Sequence, residues 1–307
     1  MTVQDSTHPI IKACNIEKKF SNIKALDGVS LEVFRGEVVA LLGANGAGKT
    51  TLISHLLGQL TPDSGELSIA GHTPGSLAAR QNIGVILQSA QMPGNLTVKE
   101  HIELYRRYYP APLSLKEILS IVKLSDLQHR KFYTLSGGQK QRLFFALAIC
   151  GQPKIVFLDE PTVGLDVEAR RDFWQCIRQL KAEGTSILLT THYLEEADAL
   201  ADRILLLNNG KIIKQGRSET IKSQLGGKRI RFKTAMADCH FKALSFVTQI
   251  QHRGDFTELF SSNAEETLKD LFTQQFKIRD LSVEQVSLED ALLSLSNNNP
   301  TTQEYAA

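Results

Sequence analysis

Between residues 10 and 35, hydrophobic and polar positions alternate around turn signals such as Asp27-Gly28, a period of two that predicts short antiparallel strands. The pattern then changes. Glu37–Leu42 (EVVALL) is an unbroken β-branched and aliphatic run followed by glycine, as expected of a strand buried on both faces. Lys49–Gln59 reads as a helix closed by Thr61-Pro62, and Ile83–Leu87 as another apolar strand. In NLTVKEHIELYRRYY and LKEILSIVKL, apolar groups recur at helical spacing with charges between them, which predicts a helical insertion over about 90–150. A helix starting near Ser136 is followed by the strand Ile155–Leu158, a helix over Val167–Glu183 and the strand Ser186–Leu189. A helix over Leu194–Ala201 then leads into the strand pair Arg203–Leu207 and Lys211–Gln215.

Strand alternating with helix implies an α/β fold with a mostly parallel central sheet covered on both faces. The pattern changes again after Leu225-Gly226-Gly227. A first domain is therefore expected over 8–227. A small α+β domain with three or four strand-like and three helix-like runs should follow over 228–296, and a flexible polar tail over 297–307.

Composition narrows the function classes. The 307 residues suit about two domains, and 42% hydrophobic with 22% charged residues describes an ordinary globular chain. A formal net charge of +2 gives no electrostatic reason to expect nucleic acid as a partner. Cys14, Cys150, Cys176 and Cys239 are scattered without a CxxC pair, so a reducing cytoplasm is expected and neither a disulfide frame nor a zinc site is. The start, MTVQDSTHPIIKAC, lacks a basic region followed by an apolar run, so no signal peptide is expected. The best apolar run, Leu143–Cys150, is far short of the roughly 18 residues a membrane span needs. Work at a membrane would require docking onto another chain.

The chemistry begins at Gly43-Ala44-Asn45-Gly46-Ala47-Gly48-Lys49-Thr50, a G-x4-G-K-[ST] phosphate loop between a predicted strand and a predicted helix. Gly43, Gly46 and Gly48 let backbone N–H groups converge on phosphate oxygens, and the helix start adds a favourable dipole. Asn45 and Thr51 belong to the same nucleotide contact. Lys49 is expected to reach the β- and γ-phosphates of ATP and Thr50 to ligate Mg²⁺. At the end of the apolar strand Ile155–Leu158, Asp159 supplies a metal-side carboxylate, and Glu160, pointing elsewhere, can polarise an attacking water.

Leu135-Ser136-Gly137-Gly138-Gln139 opens a helix whose N-terminus is exposed for an anion. With this LSGGQ segment in place, the chain resembles the ATP-binding subunits of ABC transporters over about residues 10–225. The resemblance implies that Ser136, Gly138 and Gln139 act on ATP held by a second subunit, a homodimer being expected. It also implies that Phe20 stacks on adenine and that Gln88 contacts Mg²⁺ and the attacking water. Asp166 then lies on the loop crossing the dimer interface, and His192, after the strand SILLT, holds the γ-phosphate. The catalytic group is thus Glu160, His192 and Lys49, with Thr50, Gln88 and Asp159 around the metal.

By the same resemblance, Ser89–Glu100, including Gln91-Met92-Pro93-Gly94, receives an integral-membrane permease, which places the chain on the inner face of the cell membrane. Val286–Leu295 and the segments Asp159–Asp166 and Thr191–Ala197 resemble the branch serving drug, antibiotic or polysaccharide export. The alternatives are a soluble ABC ATPase uncoupled from transport, a phosphotransferase, in which LSGGQ has no role, and a scaffold, disfavoured by the intact hydrolytic residues.

Overall fold

The computed structural model describes residues 8–87, 92–223, 227–234, 236, 238–274 and 276–286. The chain divides into two compact units, one through Gln215 and one from Gly216 onward. That boundary falls before the Leu225-Gly226-Gly227 composition shift.

The first unit opens with β1 (Ile11–Phe20) and β2 (Ile23–Val33), followed by β3 (Val38–Leu42), α1 (Lys49–Leu56), β4 (Ser64–Ile69), α2 (Leu77–Arg80) and β5 (Ile83–Ile86). Rather than short pieces, β1 and β2 are long strands paired antiparallel. β4, which the hydrophobic pattern does not announce, lines the other side of β1. The chain continues through α3 (Val98–Arg106), α4 (Leu115–Ile121), α5 (Gly137–Ile149), β6 (Ile155–Asp159), α6 (Val167–Ala182), β7 (Ser186–Thr191), α7 (Leu194–Leu200), β8 (Arg203–Asn208) and β9 (Lys211–Gly216).

Six strands form the second sheet in the order β5-β6-β7-β3-β8-β9. The pairs β5·β6, β6·β7, β7·β3 and β3·β8 are parallel. Every residue of β3, β6 and β7 is buried, as their continuous apolar runs require of central parallel strands. Val39, Leu41, Phe157, Leu188 and Leu205 pack with Leu52 and Ile53 of α1 and with the inner face of β1 and β2. Phe145 of α5 and Phe173 of α6 meet edge to face at 5.2 Å. Each such large side chain contributes about 1.5–3 kcal/mol by leaving water.

In the helical insertion, α3 and α4 each start in a reciprocal capping box, Thr97 with Glu100 and Ser114 with Glu117, which satisfies donors the helix cannot pair itself. The register places Asp159 opposite Thr190 and Leu42 opposite Thr191, so β3, β6 and β7 end level with one another.

The second unit contains α8 (Ser218–Ser223), β10 (Lys228–Lys233), α9 (Asp238–Lys242), β11 (Val247–Arg253), β12 (Phe256–Ser261), α10 (Ala264–Thr273) and β13 (Arg279–Gln285). From β10 onward the chain runs strand, helix, strand, strand, helix, strand, with an antiparallel sheet ordered β11-β12-β10-β13. This is the split βαβ arrangement. Ile230, Phe232, Phe241, Leu259 and Leu271 form its own core. Of the segment Val286–Leu295, only Val286 is among the described residues.

Candidate nucleotide site

β3 ends at Leu42, and the chain turns through residues 43–48 into α1. Gly48 has φ +108°, and a Cβ there would sit 2.6 Å from the Ala25 carbonyl oxygen, so only glycine closes this loop. A Cβ on Gly43 would meet the Leu207 carbonyl at 2.5 Å. The loop is thus pressed against two neighbouring segments with its backbone facing outward, a cradle suited to phosphate. Asn45, Gly46 and Thr50 are exposed on it and Thr51 is half-buried. No side chain caps α1 and no acid lies in its first turn, which leaves its free N–H groups for an anion.

Lys49 is buried at the start of α1. Its Nζ donates to the carbonyls of Gly43 at 2.7 Å and Ala44 at 3.2 Å and lies 3.8 Å from Glu160 Oε1. Burial pushes the Lys49 ammonium below its ordinary value, against the raising influence of Glu160 and Asp159.

Asp159 and Glu160 differ in environment although adjacent. Asp159 closes β6 and is buried, and its Oδ1 accepts from the Thr190 hydroxyl at 2.5 Å. Glu160 takes a left-handed backbone, φ 48°, uncommon for a residue with a side chain. Its N–H donates to both Thr190 O and Thr190 Oγ1, at 3.1 and 3.0 Å. The turn swings the Glu160 carboxylate between Lys49 and His192, whose Nδ1 is 3.3 Å from Glu160 Oε2. Lys49, Asp159, Glu160 and His192 therefore converge at the carboxyl ends of adjacent strands, where open α/β sheets place ligands. Thr190 was not singled out from sequence. Its part in orienting both acids depends on the β6–β7 register, and the only local signal was its place in Thr190-Thr191-His192.

A second group lies at helix starts. Ser136 caps α5 in a reciprocal box with Gln139, the Ser136 hydroxyl accepting from Gln139 N–H and the Gln139 carbonyl from Ser136 N–H. Asp166 caps α6, accepting from Ala169 N–H at 2.8 Å. A Cβ on Gly138 would come within 2.7 Å of Ala169 Cβ, so the two helix starts touch where glycine allows it. These side chains bond within their own helices rather than to residues 43–50. Phe20 is 45% exposed at the end of β1, with Lys18 Nζ 5.7 Å from its ring centre. Gln88 lies outside the described residues.

The ABC transporter family profile matches residues 26–163. Over 221 residues the chain is 40% identical to the daunorubicin resistance ATP-binding protein DrrA3 of Streptomyces coeruleorubidus, covering 70% of each. The chain belongs to the ATP-binding cassettes of ABC transporters. A second relative of this ABC ATPase is the Nod factor export ATP-binding protein I of Burkholderia lata, 40% identical over 220 residues and covering 69% of this chain and 72% of that protein. The dimeric structure of a post-hydrolysis ATP-binding cassette bound to ADP and Pi superposes with a TM-score of 0.60 at 28% identity. It covers 67% of this chain and 98% of that one. As a member of a family that hydrolyses ATP, the ABC cassette is an ATPase. Among the described residues, no helix is long and apolar enough to cross a membrane.

Proposed function

We propose that this chain is the motor subunit of an exporter, closing with a second copy around two ATP molecules and driving a separate integral-membrane permease. The observation that carries the reading is the Glu160 carboxylate held between Lys49 Nζ and His192 Nδ1. The loop from Gly43 to Gly48, with Asn45, Lys49 and Thr51, holds the phosphates, and Phe20 stacks on adenine. Thr50 and Asp159 would hold Mg²⁺, joined by Gln88, which lies outside the described residues. The donor set fits: Thr190 turns the buried Asp159 carboxylate, beside a loop that admits no side chain at Gly48. When bound, Mg²⁺ supplies Lewis-acid stabilisation of the charge that develops on the phosphates.

Glu160 accepts a proton from the water that attacks the γ-phosphate in line, while Lys49 and His192 hold the transferring group. The second copy contributes Ser136, Gly138 and Gln139, and Asp166 crosses the interface. The exposed helix start at Ser136-Gly137 and the exposed Asp166 loop support that division, as does the dimer seen for a related cassette. ATP joins the two copies and hydrolysis releases them, a contact switch that can be passed to a permease.

The segment Met92–Gly94 supports the docking proposal. His101 Nε2–H donates to the Pro93 carbonyl at 3.1 Å, and Tyr133 N–H to the Gly94 carbonyl at 3.1 Å, fixing a loop beside the exposed Tyr133. α3 adds exposed Leu104, and Tyr108 follows it, apolar surface of the kind that marks an interface. Export rather than import is supported by the resistance and export functions in the relatives' names.

Glu160→Gln is expected to remove the base while keeping the shape of the site. It should trap an ATP-bound dimer on size-exclusion chromatography with Mg²⁺ and slow hydrolysis by about a hundredfold or more. A monomeric variant with normal turnover would overturn the mechanism. Recovery of the chain with membranes only when its permease is co-expressed tests the coupling.

A further inference from the structure

His192 is 44% exposed at its side chain, so its own burial does not fix its position. The turn that carries it leads into α7, a seven-residue helix with no side-chain cap. Its local support is the Tyr193 N–H, which donates to Thr191 Oγ1 at 2.9 Å. Glu160 Oε2 lies 3.3 Å from His192 Nδ1, and a further line of contacts runs through Tyr193 to α6. The Tyr193 ring lies 4.2 Å from the His192 ring, centre to centre, at 38°. Across Tyr193 the Arg170 guanidinium sits 4.7 Å from the ring centre. Arg170 Nε is buried without a hydrogen-bond partner, so this stacking accounts for where the guanidinium rests.

One turn further along α6, Trp174 Nε1–H donates to Glu196 Oε1 at 3.1 Å. Glu196 is fully buried. Burial pushes its carboxyl up, while the Thr191 and Thr162 hydroxyls, the Trp174 N–H and the Arg170 charge pull it down. Glu196 Oε2 and Thr162 Oγ1 lack a partner of full hydrogen-bond geometry, so those hydroxyls count as polar neighbours and not as bonds. A buried carboxyl held chiefly by one indole N–H is a costly group to keep unless it fixes something. Glu196 lies one helical turn after His192, and Arg170 and Trp174 lie one and two turns after Asp166 on α6.

The geometry points to α6 as the element that positions His192, through Arg170 stacked on Tyr193 and Trp174 bonded to Glu196. The four are positioning residues, acting on the γ-phosphate only through His192. Because Asp166 caps α6, the helix that would meet the second copy also sets the histidine, so closure of the interface and alignment of His192 are one event. This rests on the reading of His192 as the γ-phosphate contact.

The test measures steady-state ATP hydrolysis by the full chain with Mg²⁺, with thermal melting recorded for every variant. His192→Ala should lose most turnover, and if it does not, the underlying reading of His192 fails. Tyr193→Ala is expected to lower kcat by about tenfold with KM for ATP within about twofold, and Tyr193→Phe to restore most of it. Trp174→Phe keeps a ring in the same space and removes only the N–H donor, and should lower kcat in the same selective way. In the His192→Ala background neither substitution should cost anything further, because a residue acting through His192 has nothing left to align. The inference is overturned if His192→Ala is inactive while Tyr193→Ala and Trp174→Phe turn over normally. It is equally overturned if their losses add to that of His192→Ala, or if they appear only with a lowered melting point.

Discussion

Glu160 shows how much of this site is set by one backbone torsion. Its left-handed φ of 48° would be unfavourable in isolation and is stabilised by two acceptors on Thr190. The same hydroxyl donates to Asp159, so a single threonine orients both acids. Thr190→Val keeps the shape and removes the hydroxyl. It should forfeit a charge-assisted bond of about 1.5–3 kcal/mol, seen as about a ten- to hundredfold fall in kcat. Unchanged turnover would show that the backbone alone holds the two carboxylates. At this scale the phosphate loop, Asp159 and Glu160 were legible because each motif is contiguous in sequence. Thr190, Tyr193 and Glu196 were not, since what they touch depends on strand register and on where α6 passes.

Elements carry their own titration. His55 on α1 and His101 on α3 are buried, and burial is the largest influence lowering both below the ordinary value of 6.5. Each Nδ1 or Nε2 proton is given to a carbonyl, of Thr51 and Pro93 respectively. Above 6.5 both histidines are neutral folded or unfolded, and their contribution to stability is fully present. As pH falls through 6.5 the unfolded chain takes up protons first, so stability is lost progressively down through the lowered folded values. The melting temperature should therefore fall between neutral and mildly acidic pH, and His101→Asn should flatten part of that fall. Most helices and central strands were readable from period, and α5 also from its Ser136 cap, whereas the Thr97 cap of α3 emerged only with the structure. β4 was not: SGELSI has few apolar positions, is half exposed, and owes its place to pairing with β1.

The whole molecule is two units with separate cores. Nucleotide contacts are proposed only in the first. ATP with Mg²⁺ should therefore raise the melting transition of that unit, by about 2.7 kcal/mol in stability when ligand is a hundredfold above its dissociation constant. The transition of the second unit should stay where it is, as followed by calorimetry. If both move together, the units unfold as one. The α+β character of the second unit was legible from its runs. Its strand order was not, because pairing β10 between β12 and β13 joins segments distant in sequence.

The site's three sources, β3, β6 and β7, are hydrogen-bonded neighbours in the sheet but widely separated along the chain. Such non-local pairings form late, after the loop entropy of joining distant segments has been overcome. A nascent or half-assembled chain can already hold its phosphate loop, yet Glu160 and His192 reach Lys49 only when the central strands have zipped into register. The capacity to consume fuel thus waits on the central sheet, and a chain in which β7 has yet to be made cannot bring His192 to Glu160.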